Sequence, residues 1–461
     1  MNLKLEKVEV PLIAIILGIF SILLLISITD IIPFSIANDN IDNAREIFEG
    51  VGVEGLSGIF AIVMSLSLMA VEFASQQYTH RIADAYIKSA AFWAIVTIYL
   101  GSIVYNVFML SVLSEPVSGV YVDVSILLST FCIVMLVPHF FITVTHLNPD
   151  FIIGRILKGV DEDYIGSIEV YFDTGKLRIP TDQDRMLPVA EIIERSIGNG
   201  DRSTARFGLD EIQSYYLKYL NKENEEYVSP YFLDYILGIG REAIIESDDD
   251  SMIQVLKIFG DMGKKGLEED MFGTSKMTIE DIGVMAHKVV KRDHDAAIKQ
   301  IFDSLHLILD LVRQDHDEIV EQIFFLYDEL STQLFVLKSN RMVKYMTKSV
   351  SDLLGFENSS SFFLEKTAAF FGDVGRYAVN FDVRDVIHES VSSLHQIGIL
   401  SAKNEMVDLV DHTLEYMLKI ENECVRYESK SKEFTSIINE VEYAKKDIEG
   451  HLETTDFSDI W

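Results

Sequence analysis

A chain of 461 residues is too long for a single compact core, because hydrophobic cores stop growing near about 250–300 residues. Its net charge of −33 at pH 7 excludes nucleic acid as an expected partner, since like charges repel. The two cysteines, Cys132 and Cys424, exclude a disulfide framework and a thiolate metal site. Residues 148–461 hold 34 Lys and Arg against 60 Asp and Glu. We interpret this acidity mainly as a solubilising surface, which also suits basic partners, cations or a saline cytoplasm.

The first third of the chain contains four apolar segments that are long enough to cross a lipid bilayer. Residues 10–29 carry no charge, and about 20 helical residues span the ~30 Å hydrocarbon layer. Residues 55–75, 89–113 and 124–147 carry few charges or none. The sequence therefore predicts a four-helix transmembrane domain over residues 1–147.

The charges that flank these segments indicate their orientation. Lys and Arg should be enriched on the cytoplasmic side of a membrane protein. They are found before the first span, between the second and third, and after the fourth, whereas the opposite loops are acidic. We therefore predict a multi-pass protein of the cell membrane with both termini in the cytoplasm. The basic flanking residues are Lys4, Lys7, Arg81, Lys88, Arg155 and Lys158.

Polar side chains within the predicted spans are candidates for function, because charged groups at membrane depth are costly. Glu72 is the only acid inside a span, and Pro138 precedes His139 in the fourth. One hypothesis places Glu72 and His139 on an ion or proton path, where they could pair. The alternative is that such residues hold the helices together or reach the interface. The intramembrane candidates are Ser65, Ser67, Glu72, Tyr105, Asn106 and His139.

Residues 148–187 are predicted to be a linker that contains the only sheet. Apolar residues alternate on both sides of Asp173-Thr174-Gly175, over residues 165–180. This pattern is typical of a small β-hairpin.

Residues 188–461 have the apolar spacing of helices, and short acidic or glycine-containing breaks separate them. The breaks include 200–203, 248–251, 315–318 and 381–385. Their spacing suggests stacked antiparallel helices of solenoid or bundle type. The expected fold class is an all-α membrane protein, with a mainly helical cytoplasmic domain and one hairpin.

Two Asp-His-Asp triplets, at residues 293–295 and 315–317, raise the question of a metal site. Aspartate at a helix start also accepts hydrogen bonds from free backbone N–H groups, which explains the triplets without a metal. The chain has no phosphate-binding glycine loop, His-Glu-x-x-His, nucleophile elbow or Cys-x-x-Cys. We therefore expect no cofactor and no metal, and an enzyme with a familiar active site is disfavoured.

Two motifs resemble those of an uncharacterised family of prokaryotic predicted membrane proteins. Residues 65–81 are similar to the family's Ser/Thr-rich span, which ends in Ala-Ser-Ser-Gln-Phe-Ser-Pro-Arg. Residues 196–205 are similar to its Ser-Pro-Gly-Ile-Asn-Asp-Pro-x-Thr-Ala. The resemblance covers about residues 10–215 and implies a membrane location and a shared architecture, without an established activity. The matching residues are Ser65, Ala74, Ser75, Gln77 and Arg81 in the first motif and Ser196, Gly198, Asp201, Thr204 and Ala205 in the second.

The departures from the family pattern weaken any shared role for four positions. Ile197 and Arg202 stand where the family has prolines, and His80 replaces the proline before Arg81. Glu72 stands where relatives usually carry an uncharged residue.

Three functional hypotheses follow. The first is a membrane-anchored sensor or scaffold whose acidic helical domain binds a cytosolic protein. The second is a channel or transporter gated by that domain, which would require a homo-oligomer because four spans per chain are few. The third is an enzyme acting on a lipid or another membrane substrate near Asp201. The membrane–cytosol junction, with Gln77, Arg81, Ser196, Gly198, Asp201 and Thr204, is the first region to mutate.

Overall fold

The computed structural model describes residues 43–77, 90–112, 119–173, 179, 183–292, 294–355, 359–428 and 434–454. Its contacts divide the chain into two compact units, Met1–Gly159 and Val160–Trp461. The first predicted span, residues 10–29, and the junction residue Arg81 lie outside the described residues.

The first unit consists of long apolar helices. A continuous helical stretch contains α1 (Ala44–Glu46), a π-helical segment (Ile47–Gly55) and α2 (Leu56–Gln77), and it is followed by α3 (Ala90–Val112), α4 (Gly119–His146) and α5 (Pro149–Leu157). Three stretches are long and apolar enough to cross a membrane: Ala44–Phe73, Phe92–Val112 and Gly119–Thr145. They correspond to the second, third and fourth predicted spans.

The helices of this unit expose many large apolar side chains and bury several polar ones beside their apolar contacts, which is unusual for a water-soluble protein. Leu66, Met69 and Phe73 on α2 are exposed, as are Phe108 on α3 and Phe140 on α4. Lipid can solvate such an apolar exterior, whereas polar groups in a bilayer must find partners within the bundle. The buried polar residues of this unit are Ser67, Ser75, Ser102, Asn106, Ser125, Ser129, His139 and Thr143.

The predicted β-hairpin is wrong, because its first half is the helix α6 (Glu162–Asp173). Tyr164, Ile165 and Ile168 are buried, which is the spacing of one helix face. Asp161 accepts a hydrogen bond from the backbone N–H of Tyr164 at 3.0 Å and so satisfies a free donor at the helix start. The alternation seen in the sequence was too short to distinguish a strand from a helix. No described residue forms a β-strand.

The rest of the second unit is a stack of helices that we call the helical array. Each helix contacts the helix two positions further along, and nearly every helix also contacts its direct neighbour. Odd- and even-numbered helices therefore form two layers of stacked hairpins. The array comprises α7 Met186–Gly198, α8 Arg202–Tyr219, α9 Glu225–Glu246, α10 Asp249–Glu268, α11 Phe272–Lys291, α12 Asp295–Val312, α13 Asp317–Val336, α14 Asn340–Ser351, a 3₁₀ turn Asp352–Gly355, α15 Ser361–Asn380, α16 Arg384–Lys403, α17 Val407–Glu428 and α18 Phe434–Thr454.

The turns between these helices repeat a backbone conformation. Ser247, Lys338 and Asp382 have φ values of 57°, 57° and 55° and follow the odd-numbered helices α9, α13 and α15. A residue in the left-handed conformation just after a helix lets the chain reverse direction. Glycine adopts this conformation at the lowest energetic cost, because it has no side chain. At these three turns the chain places a non-glycine residue in a conformation that favours glycine. Asp270, His316 and Glu405, with φ of 58°, 73° and 61°, follow the even-numbered helices α10, α12 and α16.

Candidate functional site

The polar interior of the membrane unit contains a hydrogen bond between Ser67 on α2 and His139 on α4. Ser67 Oγ lies 2.8 Å from His139 Nε2, and both side chains are buried. Ser67 belongs to a stripe with Val63 and Val71, spaced one turn apart, that faces the bundle. Pro138, just before His139, cannot donate the backbone hydrogen bond that α4 would otherwise make there.

A second polar cluster surrounds Asn106 on α3. Its side-chain amide donates to the carbonyl of Ser102 at 2.8 Å, and its oxygen accepts a hydrogen bond from Ser125 on α4. Gly52, in the π-helical segment, lies against this amide so closely that a Cβ atom there would overlap the Asn106 side chain. Three helical segments therefore meet at one buried amide.

Tyrosine hydroxyls link α3 to α4 on either side of this cluster. Tyr99 donates to the carbonyl of Cys132 at 2.6 Å, and Tyr105 donates to the carbonyl of Tyr121 at 3.0 Å. Cys132 Sγ is 3.4 Å from the Oγ atom of Ser102. These contacts satisfy polar groups within one chain, as expected for residues that hold spans together.

The remaining two intramembrane candidates lie on the outside of α2. Ser65 is exposed, and so is Glu72, which accepts a 3.3 Å hydrogen bond from Gln76. Glu72 follows Val71 by one residue, about 100° around the helix from the buried stripe. The structure thus pairs His139 with Ser67, not with Glu72.

Within the described part of α4, His139 Nδ1 and Ser129 Oγ are buried polar atoms that lack a hydrogen-bond partner. An unsatisfied buried polar atom costs about 1–3 kcal/mol. These two atoms are therefore the places in the described bundle where water or a ligand would gain most by binding.

The second family motif forms the turn between α7 and α8. Ser196 Oγ donates to the carbonyl of Ile192 at 2.8 Å, and Gly198 is the last residue of α7. Gly200 has φ +73°, which reverses the chain. Asp201 then accepts a 3.2 Å hydrogen bond from the backbone N–H of buried Thr204. The motif is therefore a helix stop followed by a helix cap, while Gln77 is the last residue of α2.

A groove of about 630 Å³ begins at this turn, between α8 and α10. Arg202 spans it and binds Asp250 at 2.8 Å. Gln254 on α10 donates to Asp210 on α8 at 2.7 Å. The polar and charged residues that line the groove include Ser203, Arg206, Gln213 and Lys257. Because both basic and acidic side chains line the groove, its charge favours neither an anionic nor a cationic ligand.

Sequence reasoning missed a buried carboxylate, Asp184. It accepts hydrogen bonds from the backbone N–H groups of Met186 and Leu187, at 2.9 and 3.2 Å, and from the hydroxyls of Tyr231, at 2.7 Å, and Tyr235. In the sequence, Asp184 appears only as an acid just before a predicted helix. Its partners Tyr231 and Tyr235 lie far away in the sequence, on α9, so the sequence does not reveal the cluster. The cluster fixes the start of α7 against α9.

The tyrosines around Asp184 are held in their neutral form. Burial raises the pKa of Tyr164 to about 12, and its hydroxyl lies 2.6 Å from that of Tyr231. Burial, followed by the neighbouring Tyr164 and Asp184, raises the pKa of Tyr231 as well. A neutral hydroxyl remains a hydrogen-bond donor, so these tyrosines hold the Asp184 side chain in place.

The described residues contain no group of three or more His, Cys, Asp or Glu side chains that could hold a metal ion. In particular, His294, which directly precedes α12, lies 2.8 Å from Asp249, the first residue of α10. The left-handed His316 packs against the ring of Phe272 with a centroid distance of 4.4 Å. Both triplet histidines thus serve local packing.

Residues 8–208 match the model of a family described as "Predicted membrane protein (DUF2254)", which confirms the resemblance seen in the two motifs. No curated protein matches the chain. A solved structure titled "Circular tandem repeat protein with novel repeat topology and enhanced subunit contact surfaces" is 11% identical, with 89% of this chain and 95% of that one covered and a TM-score of 0.33. Another, "Computational Design of Self-Assembling Cyclic Protein Homooligomers", is 11% identical, with coverages of 66% and 97% and a TM-score of 0.16. Scores this low carry no argument about fold or function.

Proposed function

We propose that this chain, whose residues 8–208 match the model of that family of predicted membrane proteins, is a membrane-anchored scaffold. The membrane unit holds it in the cell membrane, and the acidic helical array binds a cytosolic protein. The observation that carries the proposal is the pairing of polar side chains within the bundle, Ser67 with His139 and Asn106 with Ser125. Groups already paired inside one chain act as anchors between helices, not as the lining of a path.

The array offers a surface for a partner on its odd-numbered helices. Val284 on α11 and Phe325 on α13 are exposed apolar side chains, the latter 64% exposed. The two helices are neighbours there, because a Cβ atom on Gly283 would contact Leu326 at 3.4 Å. Exposed apolar residues on adjacent helices mark a docking surface more often than residues scattered singly.

Two carboxylates, Asp281 and Asp328, flank this apolar pair, and the nearby cations Arg241 and Lys366 offset only part of the effects that raise their pKa values. Burial, then the charges of Glu280 and Asp234, raises the pKa of Asp281 to about 7. Burial and the charge of Asp373 raise the pKa of Asp328 to about 6. A cationic ligand would relieve this repulsion. The surface therefore suits a basic amphipathic helix with its apolar face on Val284 and Phe325.

Titration of the full chain in nanodiscs with a Lys-rich amphipathic helical peptide tests this surface. We expect binding that weakens with salt and that falls at least about tenfold in an Asp281→Lys/Asp328→Lys variant. The matched control reverses two exposed acids on α17, Asp408→Lys/Asp411→Lys, and should retain most of the affinity. Equal loss in both variants would mean that only net charge matters and would refute the assigned surface.

A second candidate function is an ion or proton channel formed by an oligomer. The unpaired His139 Nδ1 and Ser129 Oγ atoms are the observation that favours it. Flux measured in liposomes decides between the two functions. A path through the bundle predicts flux that His139→Ala abolishes, whereas an anchor predicts no flux above that of empty liposomes.

A further inference from the structure

Three turns of the array, which we call the basic edge, concentrate cations in an otherwise acidic chain. They join α11 to α12, α13 to α14 and α15 to α16, and they comprise residues 288–295, 336–344 and 380–385. Together they carry seven Lys and Arg against four Asp, a net charge of +3. The turns at the other ends of these helices, which we call the acidic edge, carry two Lys and Arg against seven Asp and Glu, a net charge of −5. The acidic edge comprises residues 313–318, 352–360 and 403–408.

Contacts between the turns make the basic edge one continuous surface. Arg341 binds Asp295 at 3.2 Å, which joins the second turn to the first. The ring of Phe335, at the end of α13, stacks on that of Phe381 with a centroid distance of 5.4 Å, which joins the second turn to the third. A depression of about 500 Å³ is lined by residues of these last two turns. A flat partner could therefore contact all three turns at once.

Several cations of the basic edge are available to an anionic partner. Lys288, Lys291 and Lys338 are exposed and form no ion pair with a described residue. Arg341 is paired, but its side chain is 82% exposed. Ion pairs at such exposed positions are weak, because water and salt screen them. An anion that arrives at this edge therefore displaces little that is already bound.

Large apolar side chains lie among these cations. Val336, Leu337 and Phe381 are 68%, 47% and 41% exposed. Val336 and Leu337 directly precede Lys338, whose left-handed conformation lets the chain turn at the end of α13. Apolar side chains beside lysines are typical of surfaces that bind a lipid interface, because the apolar groups enter it while the long cationic side chains reach the phosphates.

We propose that the basic edge docks on the anionic phospholipid headgroups of the membrane in which the chain is anchored. Lys and Arg there are attracted to the negative surface, whereas the acidic edge is repelled by it, so the charges select which edge meets the lipid. An acidic protein would also match the cations, but the bilayer is the anionic surface to which the chain is already tethered, and tethering favours even a weak contact. This docking does not depend on the partner surface around Val284 and Phe325.

A fluorescent label that reports apolar surroundings tests this docking in the full chain in nanodiscs. Attached to a Leu337→Cys variant, the label should shift its emission to the blue when the nanodiscs contain phosphatidylglycerol, but not when they contain phosphatidylcholine alone. Cys132 and Cys424 are buried, so the label attaches to the introduced thiol. Salt at about 1 M, where the screening length falls to ~3 Å, should remove the shift. The matched site, Val407→Cys, replaces an exposed apolar residue of the acidic edge and should give no shift.

Charge reversal at the basic edge, Lys291→Glu/Lys338→Glu, should abolish the shift at position 337, because each cation near an anionic surface strengthens binding roughly fivefold. Lys348→Glu/Lys403→Glu changes the net charge equally near the acidic edge and should keep the shift. Circular dichroism reports whether each variant is folded, and if the first one unfolds, the salt dependence decides. The proposal is overturned if the label at 337 gives no shift that depends on phosphatidylglycerol, which would leave this edge to an acidic protein. It is also overturned if position 407 shifts equally, if salt leaves the shift unchanged, or if the folded Lys291→Glu/Lys338→Glu variant keeps it.

Discussion

Ser67 Oγ and His139 Nε2 form a 2.8 Å hydrogen bond between two membrane helices, across 72 positions of sequence. Ser67→Ala would leave both imidazole nitrogens of buried His139 without a partner. We expect a loss of about 1–3 kcal/mol in the free energy of unfolding, measured by thermal or denaturant unfolding in detergent. Ser65→Ala, at an exposed position of the same helix, should change it by less than about 0.5 kcal/mol. Equal losses at both sites would contradict the assignment of this bond.

Gly52 permits the close approach of the π-helical segment to Asn106. Gly52→Ala should force the two apart and destabilise the bundle by about 2 kcal/mol or more, because overpacking a buried contact is costly. Gly58→Ala, where a Cβ atom meets nothing within 4 Å, should be neutral or slightly stabilising. Thermal unfolding of the two variants in the same detergent checks the difference, and a stable Gly52→Ala protein would refute the close contact.

Asp184 is predicted to be the most sensitive carboxylate of the helical array. Asp184→Asn replaces one acceptor oxygen with a donor, so the hydroxyl of Tyr231 or Tyr235 loses its carboxylate acceptor. We expect a loss of about 1–3 kcal/mol in array stability, measured by denaturant unfolding followed by circular dichroism. Asp163→Asn, at an exposed position of α6, is the control. A neutral result at Asp184 would show that the cluster is dispensable.

Lys338 occupies a left-handed turn position, with φ 57°. Lys338→Gly should raise the free energy of unfolding by about 0.5–1 kcal/mol, because glycine adopts this conformation without strain. Lys257→Gly, in the middle of α10, should lower it by about 1 kcal/mol. Thermal unfolding measures both, and the same sign for the two substitutions would contradict the turn geometry.

Asp281 should make stability depend on pH in a defined direction. Its folded-state pKa, raised to about 7, lies above the unfolded value of 3.8. The stability that this group contributes is therefore complete below about pH 4 and lost as pH rises through about 7. Asp281→Asn should flatten the fall in melting temperature between pH 5 and 8 and stabilise the protein at pH 8. An unchanged pH profile would show that Asp281 is well solvated.

Much of this architecture could be predicted from the sequence, because its signals are local. Runs with few or no charges predicted the spans that begin near residues 55, 89 and 124. The acidic breaks at 248–251 and 381–385 include the starts of two helices, at Asp249 and Arg384. The hairpin prediction failed because Ile168, Val170 and Phe172 alternate by chance within a helix whose buried face is set by Tyr164, Ile165 and Ile168.

The candidate sites were harder to predict, because their partners are distant in sequence. The sequence marked Ser67 and His139 as candidates, but the only partner it suggested for His139 was Glu72, as one possibility. Glu72 follows the buried Val71 by one residue, which rotates its side chain about 100° around α2 and onto the exposed face. Which face of α2 is buried cannot be read from composition. Asp184 was missed for the same reason, since its tyrosines lie on α9, 47 and 51 positions away.

Photo-crosslinking in native membranes tests the scaffold most directly. A benzophenone amino acid placed at Phe325 in the full chain should yield a discrete crosslink to a basic protein, and Asp281→Lys/Asp328→Lys should abolish it. The same probe at Leu311, an exposed apolar residue on the even-numbered helix α12, should give none. Absence of a crosslink at Phe325, or an equal one at Leu311, would contradict the account.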